Sequence, residues 1–225
     1  MALTLAVTLP PQEPSAQRLD IKTLVLDGAG RRELMKQEHA VSIVAGAGRD
    51  AEVMSRLDLE PGRYNVRIAV TRSSDGKTGS IYTTFTVPDF GRDPLSLSGV
   101  AVGRADGAPV AGREALADVL PFAPTSLRQF GSGDRVGALM RIHQSPRRPA
   151  RPITLVTRVI DETGKQMLEN SAQYGAAGFA DGKGVEHRFE VPLANLDAGD
   201  DLLTFTASTG EGGAQMQREV RFPVR

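Results

Sequence analysis

The chain has 225 residues, of which 40% are hydrophobic and 24% charged, within the range of soluble globular proteins and enough for one large or two modest domains. Lys plus Arg balances Asp plus Glu at 27 each, so no global field draws the chain to nucleic acid or to an anionic membrane surface. There is no cysteine, which excludes disulfide frameworks, thiolate metal sites and cysteine nucleophiles while leaving the redox compartment open.

Residues 1–9 lack a basic region ahead of an apolar run, and no stretch of about eighteen apolar residues occurs. Neither a signal peptide nor membrane insertion is therefore expected, and an export signal would lie outside this chain. Leu3, Leu5, Val7 and Leu9 alternate with Thr4, Ala6 and Thr8, the period of a strand, until Pro10-Pro11 removes ladder donors. Ile21 to Asp27 reads as a second strand, closed by Asp27-Gly28-Ala29-Gly30, and the chain resumes through Leu34 and then Val41 to Val44. Val53 to Leu59 leads into Pro61-Gly62, where proline presets φ and glycine accepts φ > 0. The chain returns through Tyr64, Val66, Ile68 and Val70, which leaves Arg63, Asn65 and Arg67 facing water. Asp75-Gly76 marks a hairpin, beyond which Ile81, Thr83, Phe85 and Val87 line one face before Pro88 ends the strand.

Asp89 to Asp93, bracketed by Pro88 and Pro94, is the expected domain boundary, separating 1–90 from 91–225. The second half opens with a strand at Leu95 to Val102 and continues into a long loop insertion at 103–125, with at most a short helix near 112–120. Further strands are expected at Arg135 to His143, Ile153 to Asp161, Gln166 to Ser171, His187 to Leu193, Leu202 to Ser208 and Gln217 to Val224. One phrase occurs twice, Leu59-Glu60-Pro61-Gly62-Arg63-Tyr64 and, 137 positions later, Leu196-Asp197-Ala198-Gly199-Asp200-Asp201, each launching an alternating strand. Asp27 to Gly30 and Asp161 to Gly164 punctuate the two halves alike. The fold expected is all-β, with two tandem immunoglobulin/fibronectin-III-like β-sandwich domains.

Candidate sites are sparse. Gly76-Lys77-Thr78 and Gly182-Lys183-Gly184 lack the earlier glycine of a phosphate-cradling loop, since Thr71 and Ala177 stand there, and read as turn glycines. His39, His143 and His187 have no metal-ligand spacing, although His143 and His187 lie near strands of one domain. No GxSxG elbow occurs. Asp197, Asp200 and Asp201 crowd one turn, where hard oxygens can hold calcium, yet the alternating ligand order of a calcium loop is missing and turn aspartates commonly bond local backbone. No catalytic, cofactor-binding or metal residue is assigned. The one concentrated basic segment is Arg147, Arg148 and Arg151, interleaved with Pro146, Pro149 and Pro152. Its plain reading is a solvated loop. Its functional reading is a possible ligand-binding segment for an anionic polymer or glycan through loops such as 145–152. With no Trp and only Tyr64, Tyr82 and Tyr174, of which Tyr64 points to the core, a glycan platform is poorly supplied.

Read onward from the first copy of the repeated phrase, Leu57 to Tyr64, Gly76 to Ser80, Val87 to Phe90, Leu95 to Gly99, Leu120-Pro121-Phe122, Phe130 to Val136 and Arg218 to Phe222 follow in order. In this series the chain resembles the C-terminal β-sandwich region of bacterial, acidobacterial-type von Willebrand factor type A-related proteins. The Asp-x-Ser-x-Ser pattern of the type A domain is missing, so metal-dependent adhesion is not carried over. At Asp201 the second copy departs from Tyr64 of the first, and with it from a tyrosine-corner contact. The resemblance implies an exported bacterial protein, secreted or periplasmic, of which this is a two-sandwich segment. The expected function is a non-catalytic structural or protein-interaction segment, not an enzyme, needing no cofactor. Its partners are expected to be protein or other domains of the same polypeptide, with no nucleic acid and no membrane insertion.

Overall fold

The computed structural model describes residues 2–7, 16–44, 51–104, 110–111, 116, 120–122, 124–126, 129–180, 182, 184–191, 193–210 and 212–225. Its strands in chain order are β1 (Ala2–Val7), β2 (Ala16–Asp27), β3 (Glu33–Val44), β4 (Ala51–Arg56), β5 (Gly62–Arg72), β6 (Thr78–Val87), β7 (Ser96–Leu97) and β8 (Ala101–Arg104). They continue with β9 (Val110–Ala111), β10 (Val136–His143), β11 (Ile153–Ile160), β12 (Gln166–Tyr174), β13 (Val185–Val191), β14 (Gly199–Ser208) and β15 (Gln215–Val224). The protein is all-β, and the chain divides into two units, Met1–Pro88 with Gly107–Ser126 and Asp89–Asp106 with Leu127–Arg225.

In the first unit a four-stranded antiparallel sheet, in the order β3-β2-β5-β6, packs against a three-stranded sheet, β1-β4-β9. Alternation dictates the interior. Leu19, Ile21 and Val25 of β2, Ile43 of β3, and Tyr64, Val66 and Ile68 of β5 meet Val53 of β4 and Leu57 in one buried cluster. Each such aliphatic side chain contributes about 1.5–3 kcal/mol relative to exposure.

The second unit repeats the plan with the sheet β12-β11-β14-β15 opposite β13-β10-β7, β8 also pairing β10. Its core joins Met140 and Ile142 of β10 and Val191 of β13 to Leu155 and Val159 of β11 and Leu203 and Phe205 of β14. The six strands β1 to β6 thus correspond in order and pairing to β10 to β15. The twice-used phrase opens β5 and β14, and the turns after β2 and β11 place Gly30 and Gly164 at φ 70° and 86°, a conformation that favours glycine.

Several local expectations change. Gly62 and Gly199 are not left-handed. The strand expected over Leu95 to Val102 is broken into β7 and β8: Leu97 faces Ile142 and Ala101 faces Leu139, four residues against three, which is a bulge. Ser98 fills it, its N–H donating to the Arg141 carbonyl and its Oγ accepting from Arg141 N–H, both at 2.9 Å. Most of the loop insertion expected at 103–125 in the second sandwich does not belong there: Gly107–Ser126 groups with the first unit. There β9 runs parallel to β4, and the buried Glu52 carboxylate accepts from Ser126 N–H at 2.6 Å and Ser126 Oγ at 2.7 Å. Most of the expected 112–120 helix lies outside the described residues, although Leu120 N–H donates to the Leu116 carbonyl at 2.9 Å, the span of one helical turn.

Candidate functional site

The outward face of β3-β2-β5-β6 gathers polar and aromatic groups by register. Leu24 stands opposite both Lys36 and Arg67, Lys22 opposite Glu38, and Arg67 opposite Tyr82. The Arg67 guanidinium carbon lies 5.3 Å from the Tyr82 ring centroid, a cation–π geometry. Tyr82 is 56% exposed, and with Leu34 and Ile81 it belongs to the exposed large hydrophobic side chains among the described residues, all on this sheet. Its hydroxyl donates to Asn65 Oδ1 at 2.9 Å, which fixes the ring.

Asn65 is the hinge of this face. Alternation assigned it to water, but it is buried, accepting also from Thr84 Oγ1 at 2.6 Å and donating through Nδ2 to the Asp27 and Gly28 carbonyls at 3.0 and 3.2 Å. The amide ties β6 to the β2–β3 turn. Beside it, Lys36 Nζ lies 2.8 Å and Lys22 Nζ 3.9 Å from Glu38 Oε1. The Lys36 hydrogen bond holds the Glu38 carboxyl below its usual range, and Glu38 raises Lys36 in return. Lys22, Leu24, Lys36, Arg67 and Tyr82 border a shallow concavity. An aromatic plane, a cation above it and flanking lysines suit a partner presenting carboxylates and flat apolar groups.

The loop singled out by its arginines connects β10 to β11. Its backbone is pinned: Gln144 Nε2 donates to the Arg151 carbonyl at 2.6 Å, Arg151 N–H donates to Gln144 Oε1 at 2.9 Å, and Ser145 Oγ donates to the Gly91 carbonyl at 2.7 Å. Arg147, Arg148 and Arg151 are exposed on it, and none forms an ion pair among the described residues.

The histidines are committed to local contacts. His39 Nε2 is 3.4 Å from Ser55 Oγ, and His143 stacks on Phe90 with ring centroids 4.7 Å apart. Burial, with Arg141 second, lowers His143. His187 is buried, with Nδ1 2.7 Å from the Tyr174 hydroxyl and Nε2 3.4 Å from Thr157 Oγ1, walled by Phe189 and Phe205. Burial lowers the imidazole and raises the Tyr174 phenol. His143 and His187 do not meet: His187 faces Met140 on β10, and His143, three residues further, points to the other side of that sheet.

The acidic turn is divided. Asp200 pairs with Arg225 at 3.5 Å, while Asp201 is 2% exposed with Oδ2 unpartnered. Burial first, then Asp161, Glu162, Asp200 and Asp197, push Asp201 above the ordinary carboxylate range. No three His, Asp or Glu side chains are grouped to hold a metal ion among the described residues. Of the lysine-glycine phrases, Gly76 sits in the β5–β6 hairpin at φ 69°, and Lys183 lies outside the described residues.

No protein-family model matches the chain, and no curated protein matches it. Among solved structures, PorU from Porphyromonas gingivalis is similar at 14% identity and TM-score 0.31, over 92% of this chain and 16% of that one. A calcium-binding mutant of Bacteroides uniformis beta-glucuronidase 2 is similar at 10% identity and TM-score 0.36, over 97% of this chain and 26% of that one. A DUF3823 family protein from Bacteroides ovatus is similar at 12% identity and TM-score 0.29, over 99% of both chains. The chain thus spans a minor part of the first two. Likeness at this level carries no argument about chemistry, and the fold rests on the strand pairing itself.

Proposed function

We propose that this chain is a non-catalytic interaction segment of a larger exported bacterial protein, two sandwiches that space and present binding surfaces, with the outward face of β3-β2-β5-β6 as the working surface. The observation that carries the reading is the Tyr82–Arg67 pair: an aromatic ring over half exposed, fixed by Asn65 from beneath and capped by a guanidinium. Groups held in place at a surface lose little entropy on binding. The ordered resemblance to the sandwich region of von Willebrand factor type A-related proteins supports the exported context and a protein partner. Affinity capture from the exported fraction of the native host tests it, with the chain and its Arg67→Glu/Tyr82→Ala variant as baits. A partner held by the chain and lost by the variant supports the reading, and equal retention contradicts it.

A second reading has its own observation. The pinned 144–152 loop displays three arginines that have no carboxylate partner among the described residues, which suits an anionic polymer or an acidic glycan.

A further inference from the structure

Sheets are ordinarily closed at their edges by charge, proline or bulge, because an open edge offers unpaired N–H and C=O groups to another chain. Among the edge strands longer than six residues, β3 carries Glu33, Lys36 and Glu38, β12 carries Glu169, β13 carries Glu186, Arg188 and Glu190, and β15 carries Arg218, Glu219, Arg221 and Pro223. The ladders of β3 and β12 are also interrupted by register shifts. β6 has none of these devices. Its ten residues, Thr78 to Val87, include no charge and no proline, and its ladder with β5 runs unshifted from Thr71↔Thr78 to Gly62↔Val87. Its side chains are mostly exposed, Ile81 at 51% among them although it lies on the core side of the sheet.

Among the described residues no strand pairs with the far side of β6, and that side has a definite pattern. Arg72 N–H donates to the Lys77 carbonyl at 2.9 Å, which makes that couple a hydrogen-bonded pair, and such pairs alternate along an antiparallel ladder. Counting from it, Thr78, Ser80, Tyr82, Thr84 and Thr86 turn their backbone N–H and C=O away from β5.

We propose that β6 pairs antiparallel with β6 of a second copy of this chain, about a two-fold axis through Thr83, joining two four-stranded sheets into one of eight strands. This rests on the reading above that the sheet is an interaction surface, and it names the occupant of its edge. Three consequences of this register favour a second copy. In this register Tyr82 faces Thr84 of the other copy and Ser80 faces Thr86, so the outward backbone groups meet as hydrogen-bonded pairs. On the core side, exposed Ile81 comes opposite Phe85 of the other copy, twice by symmetry. No charge opposes its own image: β6 itself carries none, Lys77 just before it comes opposite Asp89 of the other copy, and Arg63 and Arg67 lie on β5, whose two copies are three strand spacings apart, about 14 Å, beyond the Debye length at physiological salt.

The chain has no cysteine, so one introduced thiol reports the pairing cleanly. Thr83 on the axis forms a non-hydrogen-bonded pair with its image, Cα atoms about 4.5 Å apart, within reach of a disulfide. Thr86 and its image lie about 20 Å apart. The full chain carrying Thr83→Cys is expected to oxidise to a covalent dimer, and Thr86→Cys to stay monomeric under the same conditions. Sedimentation of the unmodified chain at on the order of 100 μM is expected to show a dimer, because edge pairing buries little area and gives weak affinity. The variant Ser80→Lys/Thr86→Lys places lysines opposite lysines and is expected to sediment as a monomer with an unchanged far-ultraviolet spectrum. A monomeric unmodified chain, a dimer that survives the lysine pair, or equal crosslinking at both cysteines overturns the proposal. Partner capture that depends on Arg67 and Tyr82 is scored separately, so a monomeric chain that still captures its partner defeats self-pairing while sparing the interaction surface.

Discussion

Asp201 holds in the second unit the strand position that Tyr64 holds in the first. Each is the third residue of its strand, and each faces a phenylalanine across the next ladder, Phe85 for Tyr64 and Phe222 for Asp201. The Tyr64 hydroxyl donates to the Glu60 carbonyl at 2.8 Å and closes a tyrosine corner. Asp201 brings a carboxylate to the same corner and leaves Oδ2 buried without a partner.

Tyr64→Phe removes one hydrogen bond and little volume, so the expected loss is about 0.5–1.5 kcal/mol. In a chain of this size each kcal/mol moves the melting midpoint by roughly 2–4 °C. Thermal denaturation followed by circular dichroism measures it, and an unchanged midpoint would mean that the corner is ornamental.

At Asp201 the expected effect has the opposite sign. Burial raises the folded carboxyl above 3.8, so the folded state binds its proton more tightly than the unfolded chain does. Stability from this group is fully present below the unfolded value and declines as pH rises through the folded one. Asp201→Asn is therefore expected to raise the melting midpoint at pH 7 by a few degrees, roughly the effect of 1 kcal/mol, and to lose that advantage near pH 3.5. Melting curves at the two pH values decide it.

Burial favours the neutral form of the His187 imidazole. Its folded value is lowered by burial, so stability is intact above 6.5 and falls as pH drops through that value toward the folded one. The His187 ring is expected to titrate below 6.5 by proton NMR. Tyr174→Phe, which leaves Nδ1 without its partner at 2.7 Å, is expected to cost about 1–3 kcal/mol.

Much of the architecture is legible in the residues alone. The paired phrases and the Asp-to-Gly turns are local chemistry, and they announce β5 and β14 because a turn and an alternating strand are specified by neighbours in sequence. What escaped depends on distant partners. Asn65 reads as solvent-facing by alternation, and only the carbonyls of Asp27 and Gly28 and the hydroxyls of Tyr82 and Thr84 explain its burial. Tyr82 becomes a surface feature only when cross-strand register sets it against Arg67. Residues 107–126 look like a loop of the second sandwich until Ser126 meets Glu52, 74 positions away. Of the site residues, the arginine loop was visible as composition, whereas its rigidity, due to Gln144 and Ser145, was not.

The Glu52–Ser126 contact can be tested directly. Glu52→Ala removes a charge-assisted acceptor of two hydrogen bonds and is expected to cost about 1.5–3 kcal/mol and to speed protease cleavage within 107–126. Limited proteolysis with mass spectrometry reads the cut sites.

For the arginine loop, Arg147→Glu/Arg148→Glu/Arg151→Glu is expected to abolish any retention on a heparin column while leaving the melting midpoint within about 2 °C, since surface changes away from packed features cost little. Retention of the unmodified chain that persists after charge reversal would place polyanion binding elsewhere.

On the proposed function, the outward face of the first unit's four-stranded sheet is where this protein meets its partner. A photoreactive p-benzoylphenylalanine at position 82, expressed in the native host, tests it most directly, with the same group at Thr206 on the second unit as the comparison. Discrete protein adducts are expected from position 82 and none from position 206. Adducts from 206 alone, or none from 82, would contradict it.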